Sequence, residues 1–280
     1  MSVPENSGRH WGASYRLVAS EKWKAKSAHM GRDATEALVE FADPKHGMQV
    51  LDLASGTGEP AISLAAAVGS SGHVTALDLS QDLLDIAIKR ARQRSLANIT
   101  TQVADAQHLP FADNTFDLGT SRFGVMFFAD AVRALRELHR VLRPGARACF
   151  LAWGPMDQPY WASGMGIVHK RVGGTLLCPG SSDLFRFSKP GSLSATLADA
   201  GFKAIEEEVR TIPWDWPGSP EEAWEQQKAV SAPFRAMLER VPEDQWPAIN
   251  AEVVQAIEKF RRGDTIHFTA AVVFASGRKG

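Results

Sequence analysis

Between Val50 and Glu59 the chain reads Val-Leu-Asp-Leu-Ala-Ser-Gly-Thr-Gly-Glu, an apolar run that ends in an acid, a small hydroxyl and two glycines. Glycines at such a corner let the backbone approach a ligand closely, with the N-terminus of a following helix beneath. The spacing Gly56-x-Gly58-x-x-Ala61, with Asp78 about 20 residues further on, also satisfies a dinucleotide fingerprint. Charge separates the two readings. A pyrophosphate is anionic, and Asp52 just ahead of the glycines does not help to bind it. S-adenosylmethionine carries an ammonium and a sulfonium, which Asp52 would attract. Asp78, ending Thr75-Ala76-Leu77-Asp78, can accept from both hydroxyls of a ribose in either case.

Those residues need a frame, and the sequence supplies one. Strands are expected at 48–53, 73–78, 99–103, 116–120 and 146–152, with helices near 33–42, 60–68, 81–94 and 130–142. Pro60 suits a first helical turn, and Gly69 suits a left-handed exit. Asp130 can cap the helix that Arg143-Pro144-Gly145 stops. Alternation of this kind makes a parallel sheet with helices on both faces, a doubly wound α/β fold. After residue 153 the pattern breaks. Residues 154–187 read as an insertion rich in glycine and aromatics, followed by a short helix over 188–201 and a strand at 204–212. A second, largely helical insertion at 213–263 opens at Ser219-Pro220-Glu221-Glu222, with capping-box spacing, before a last strand at 266–276.

Bulk properties exclude several classes. The 31 basic and 32 acidic side chains nearly cancel, and no basic run forms the patch that a nucleic-acid groove needs. No apolar stretch approaches the roughly 20 residues that span a bilayer, so no stable membrane insertion is expected. The polar first ten residues lack the core of a signal peptide, which makes the cytoplasm the expected compartment. Cys149 and Cys178 are too few for a disulfide framework and wrongly spaced for zinc. No acid/histidine cluster has ligand spacing, so no metal is implied.

Four segments, taken in order, resemble the seven-strand (class I) S-adenosylmethionine methyltransferases, especially the ubiquinone/menaquinone-biosynthesis type. Leu51-Asp52-Leu53-Ala54-Ser55-Gly56-Thr57-Gly58 is similar to that family's cofactor loop, with Ser55 where cysteine is frequent. Ala76-Leu77-Asp78-Leu79-Ser80 resembles its ribose-binding strand end. Ala104-Asp105-Ala106-Gln107-His108-Leu109-Pro110-Phe111, followed by Asp113-Asn114-Thr115-Phe116-Asp117, resembles its adenine segment. His139-Arg140-Val141-Leu142-Arg143-Pro144-Gly145 resembles the turn into its fifth strand.

The match covers residues 48–153 well and the flanks loosely. It implies S-adenosylmethionine as cofactor, with Asp52, Ala54, Ser55, Gly56 and Gly58 forming the loop and Asp78 on the ribose. It places Leu79 on the adenine face, Asp105 at the adenine amino group, the Ala106 backbone at the ring edge and Ser121 beside the methionine moiety. It also implies a Rossmann-like seven-stranded sheet ending in an antiparallel hairpin. The expected organisation is an N-terminal helical lid at 1–47 and a methyltransferase domain at 48–280, capped by the insertions at 154–187 and 213–263. The departure is the second insertion, where the quinone enzymes have a short connection.

Methyl transfer from a sulfonium mainly requires the nucleophile to be oriented about 3 Å from the methyl carbon with water excluded, so no catalytic triad is expected. His29, His169 and Asp157 are the bases to weigh against the commoner role of a solvated surface group, and His29 is the one singled out. The acceptor pocket is expected over the carboxyl ends of the strands, lined by Phe123, Met126, Trp153, Tyr160 and Trp161, with Trp11 and Trp23 as a lid. Such a lining suits a small apolar or aromatic molecule. Packing is the competing role for Trp214, Trp216 and Trp224.

Two alternatives stand beside this reading. One is a protein that binds S-adenosylmethionine without catalysis. The other is an NAD-dependent oxidoreductase, but Tyr160 is followed by Gly164 and Tyr15 by Ala19 where a short-chain dehydrogenase needs Tyr-x-x-x-Lys. Ser121-Arg122-Phe123-Gly124 differs from the Asn-Pro-Pro-Tyr type of tetrad, which favours a small-molecule acceptor over RNA or protein. The oligomeric state is open, a homodimer among the assemblies considered.

Overall fold

The computed structural model describes residues 24–177, 183–230 and 232–280. Helices α1 (Lys24–Met30) and α2 (Arg32–Ala42) lead into β1 (Gln49–Leu53), whose last four residues are all buried. Burial on both faces is what a continuous apolar run does inside a parallel sheet. β2 (His73–Asp78), β3 (Ile99–Val103), β4 (Phe116–Arg122) and β5 (Leu142–Trp153) complete the parallel part.

Helices α3 (Ala61–Val68), α4 (Gln81–Gln93) and α5 (Ala131–Val141) alternate with these strands. The Ser80 hydroxyl caps α4 by accepting from Leu83 N–H, and the Asp130 carboxylate caps α5 by accepting from Arg133 N–H. Gly69 ends α3 with φ 68° and ψ 179°, an extended glycine-only conformation rather than the expected left-handed helical one. A Cβ there would lie 2.7 Å from His46 Nδ1.

The sheet order is β3-β2-β1-β4-β5-β8-β6, with β6 at Lys203–Pro217 and β8 at Thr265–Arg278. β8 runs antiparallel to β5 from Arg147↔Arg278 to Trp153↔Val272. A two-residue β7 (Arg261–Arg262) pairs with β8, so the sheet has eight strands, one more than the seven expected.

The chain divides into two compact units. One comprises Ala34–Trp153, Arg186–Arg210 and Val272–Gly280, and so contains β1 to β5 with α2 to α5. Helix α8 (Ser192–Asp199) also belongs to it, shorter than the 188–201 expected. The other takes in residues up to Asp33, Gly154–Phe185 and Thr211–Ala271. Its helices are α1, α6 (Pro159–Ala162), α7 (Met165–Val172), α9 (Pro220–Val230), α10 (Arg235–Leu238) and α11 (Trp246–Glu258).

Aromatic rings build the core of this helical unit. Tyr160 lies 4.8 Å from Trp161, 5.8 Å from Trp214 and 5.6 Å from Phe268, and Trp161 lies 5.3 Å from Phe234, centroid to centroid. Ser219 Oγ accepts from Glu222 N–H at 3.2 Å, one half of the capping box expected there. Among the described residues no helix is long and apolar enough to cross a membrane.

Candidate functional site

Strand order grows one way from β1 to β3 and the other way from β4 onward. That switch point, above the carboxyl ends of β1 and β4, is where open α/β sheets bind ligands. Asp52 sits there on β1 with no solvent exposure. Thr120 on β4 donates its hydroxyl to Asp52 Oδ1 at 2.7 Å, while Oδ2 is buried without a hydrogen-bond partner among the described residues. Burial pushes the Asp52 carboxyl up to about 7, against the smaller downward pull of the Thr120 and Ser55 hydroxyls and of Arg122. One oxygen of this enclosed carboxyl is therefore an unanswered buried acceptor, which is costly to leave so.

The turn that follows is wound tightly. Ala54, Gly56 and Gly58 have φ of 53°, 52° and 112°. Gly58 has no alternative: a Cβ would lie 2.6 Å from Ile62 Cδ1 and 3.0 Å from Ala87 Cβ. Three N–H groups of the turn are engaged within the protein. Ser55 N–H donates to Leu77 O at 2.9 Å, Gly56 N–H to Asp78 Oδ2 at 2.9 Å and Gly58 N–H to Ser55 O at 2.9 Å. A pyrophosphate loop works by offering such N–H groups to the ligand. Here the N–H groups of Ser55, Gly56 and Gly58 are satisfied internally, and the Asp52 carboxyl lies just before them.

Asp78 ends β2 and accepts from Gly56 N–H on one oxygen and from Ser80 N–H on the other, both at 2.9 Å. Burial raises its pKa, and these backbone N–H groups oppose the rise. Each oxygen has a second lone pair for a diol. Beside it, Leu79 is 52% exposed and Val103, the register partner of Asp78, is 42% exposed, an apolar patch at the strand ends.

Asp105 is braced by Gln107, whose backbone N–H donates to Oδ1 at 2.8 Å and whose side-chain amide reaches both oxygens at 3.2 and 3.1 Å. Gln107 Oε1 in turn accepts from Asp130 N–H, which ties this segment to the start of α5. Arg140 donates to Leu109 O at 3.0 Å, Phe111 O at 2.8 Å and Asp113 at 2.7 Å. These bonds explain why an arginine late in α5 accompanies the segment at 104–113.

The proposed cofactor residues Asp52, Ala54, Ser55, Gly56, Gly58, Asp78, Leu79, Asp105, Ala106 and Ser121 all lie in the same compact unit. The Ser121 hydroxyl is buried and donates to Leu53 O at 2.9 Å, so it braces β1 against β4. In that unit too, Phe123 stacks on Trp153 at 4.4 Å with 20° between the rings, and Met126 is buried. Tyr160 and Trp161 are core residues of the helical unit. Burial pushes the Tyr160 hydroxyl up to about 12. His29 is half-buried in the last turn of α1 in that unit. Trp11 and Trp23 lie outside the described residues. Thr120, Gln107 and Arg90 were not singled out by sequence. Their roles depend on partners 68, 2 and 33 positions away, and only the Gln107 contact is local enough to be guessed.

Comparison with known proteins follows this geometry. A family model described as the ubiE/COQ5 methyltransferase family matches residues 26–167. The demethylmenaquinone methyltransferase of Lactiplantibacillus plantarum is 41% identical over 129 residues, covering 46% of this chain and 53% of that protein. The ubiquinone/menaquinone biosynthesis C-methyltransferase UbiE of Haemophilus ducreyi is 31% identical over 181 residues, covering 60% of this chain and 69% of that one. The chain thus spans about half the length of several curated relatives it matches. Among solved structures, the YcgJ protein from Bacillus subtilis shares the fold with a TM-score of 0.58 at 20% identity, covering 88% of this chain and 97% of that chain. The match of the family model over half of the sequence, joined to the switch-point site, establishes that this chain belongs to the ubiE/COQ5 methyltransferase family.

Proposed function

We propose that the protein transfers the methyl group of S-adenosylmethionine to a small apolar or aromatic acceptor. The observation that carries this is the polarity of the glycine turn. Its N–H groups at Ser55, Gly56 and Gly58 are engaged internally, and the bare oxygen of Asp52 lies at the switch point. That environment favours an ammonium or sulfonium and disfavours a pyrophosphate. Asp78 would take the ribose hydroxyls, Leu79 the adenine face and Asp105 the adenine amino group.

The chemistry supplied by the bound cofactor is an electrophilic methyl carbon on sulfur whose departure leaves a neutral thioether. The protein's task is therefore placement and exclusion of water. His29 is carried as a base only for an acceptor whose nucleophile must lose a proton. The names of the relatives make a demethylated menaquinone ring the first acceptor to try.

The test is a calorimetric titration with S-adenosylmethionine, S-adenosylhomocysteine and NAD, run on the wild type and on Asp78→Ala. Binding of the two adenosyl ligands, weakened at least tenfold in the variant and absent for NAD, supports the reading. Binding of NAD alone would refute it. Binding of the adenosyl ligands without turnover of any acceptor in a broad screen would favour a non-catalytic role.

A further inference from the structure

The glycine turn is braced from behind by a residue that no motif assigns. Arg90 lies on α4 and directs Nη1 to Thr57, donating to the backbone carbonyl at 3.1 Å and to the hydroxyl at 2.6 Å. Thr57 is the central residue between the two glycines. The internal bonds of the turn fix Ser55, Gly56 and Gly58, and the contact with Arg90 fixes the peptide between them.

Delivery of the guanidinium follows from packing. Ala87, one turn earlier on α4, is the residue against which Gly58 lies, so the same helix face carries Arg90 to Thr57. A cation behind a turn built for a cationic ligand would be unfavourable if left alone. Glu59 supplies the counter-charge that raises the Arg90 pKa against the dominant effect of burial, which lowers it. Glu59 is itself tied to Arg94 at 2.8 Å and to the Ser63 hydroxyl at 2.7 Å.

We infer that Arg90 is a positioning residue that clamps Thr57 and keeps the turn in its ligand-ready shape before the ligand arrives. This rests on the cofactor reading for its consequence, but the clamp itself is a property of the free protein. A pre-set turn does not have to be ordered on binding, which is how preorganisation raises affinity.

The experiment combines hydrogen–deuterium exchange of the ligand-free protein with titration by S-adenosylhomocysteine. It compares the wild type, Arg90→Met, Arg90→Lys and the nearly isosteric Thr57→Val. In Arg90→Met the amides at Ser55–Gly58 are expected to exchange about tenfold faster, with β1 and β2 unchanged. The dissociation constant is expected to rise about tenfold, while the melting temperature stays within a few degrees of the wild type. Arg90→Lys, which retains the charge and one donor, should fall between. Thr57→Val should weaken binding less, and should add nothing in the Arg90→Met background.

Unchanged exchange at Ser55–Gly58 in both Arg90→Met and Thr57→Val overturns the clamp, as does faster exchange spread evenly over the sheet. If Arg90→Met does not fold, Arg90→Lys and Thr57→Val decide together, and unchanged exchange at Ser55–Gly58 in both overturns the clamp. If the wild type binds no adenosyl ligand while the local exchange effect appears, the clamp stands and the cofactor reading fails.

Discussion

Asp52 concentrates the electrostatics of the site in one group. Its carboxyl is pushed up to about 7, mainly by burial. The folded state favours its protonated form. Its contribution to stability is therefore full below the ordinary carboxylate pKa of 3.8 and is lost as pH rises through about 7. A cationic ligand favours the ionised form, so ligand binding should release a proton. The expected result is an affinity for S-adenosylmethionine about tenfold higher at pH 8 than at pH 6, with that slope abolished in Asp52→Asn. Calorimetry in buffers of different ionisation enthalpy checks it, and an unchanged slope in Asp52→Asn would show that another group titrates. At Gln107 the expectation is a loss without unfolding. Gln107→Glu retains the acceptor for Asp130 N–H but sets a like charge against Asp105, so binding should weaken about tenfold while the denaturation midpoint barely moves.

At the scale of elements, α5 couples the adenine segment to the sheet through Arg140. Arg140→Leu removes donors from two backbone carbonyls and two acids, Asp113 and Glu137, and should cost about 2–3 kcal/mol in urea denaturation. Gly58→Ala should cost a similar 2–3 kcal/mol, because its Cβ meets Ile62 and Ala87 at a positive φ. The elements differ in how legible they are. β2 and β3 fall at the residues that alternation and flanking turns indicate. β5 starts at Leu142, earlier than the apolar run suggests, because Leu142 pairs with Phe116 before the register shifts to Leu118↔Arg147 past Pro144 and Gly145. β6 continues to Pro217, although Pro213 and Pro217 argue for a loop. It is the last strand in the sheet order, and an edge tolerates proline. There Trp214 and Trp216 are buried on either side of the less buried Asp215.

For the molecule as a whole, strand–helix alternation was enough to indicate a doubly wound sheet, and the order β3-β2-β1-β4-β5-β8-β6 agrees. The glycine turn and its acids were legible because residue type, spacing and strand–turn–helix context all bear on the same ligand. The braces were not. Thr120 reaches Asp52 across 68 positions and Arg90 reaches Thr57 across 33, and nothing local in the chain records either contact. The division into two units was also only partly visible. Both β6 and β8 contribute residues to each unit, so the boundary at Thr211 falls inside a strand rather than at a composition change. Trp214, Trp216 and Trp224 read equally well as pocket lining or packing and are buried; Tyr160 and Trp161 read as pocket lining, and both are buried in the helical unit.

The most direct test of the central claim is the calorimetric comparison of S-adenosylhomocysteine with NAD on the wild-type protein. The account predicts binding of S-adenosylhomocysteine that strengthens from pH 6 to pH 8, and no heat with NAD. Tight binding of NAD with no response to S-adenosylhomocysteine would contradict it, because the turn engages its Ser55, Gly56 and Gly58 N–H groups internally and leaves them no free donor for a pyrophosphate.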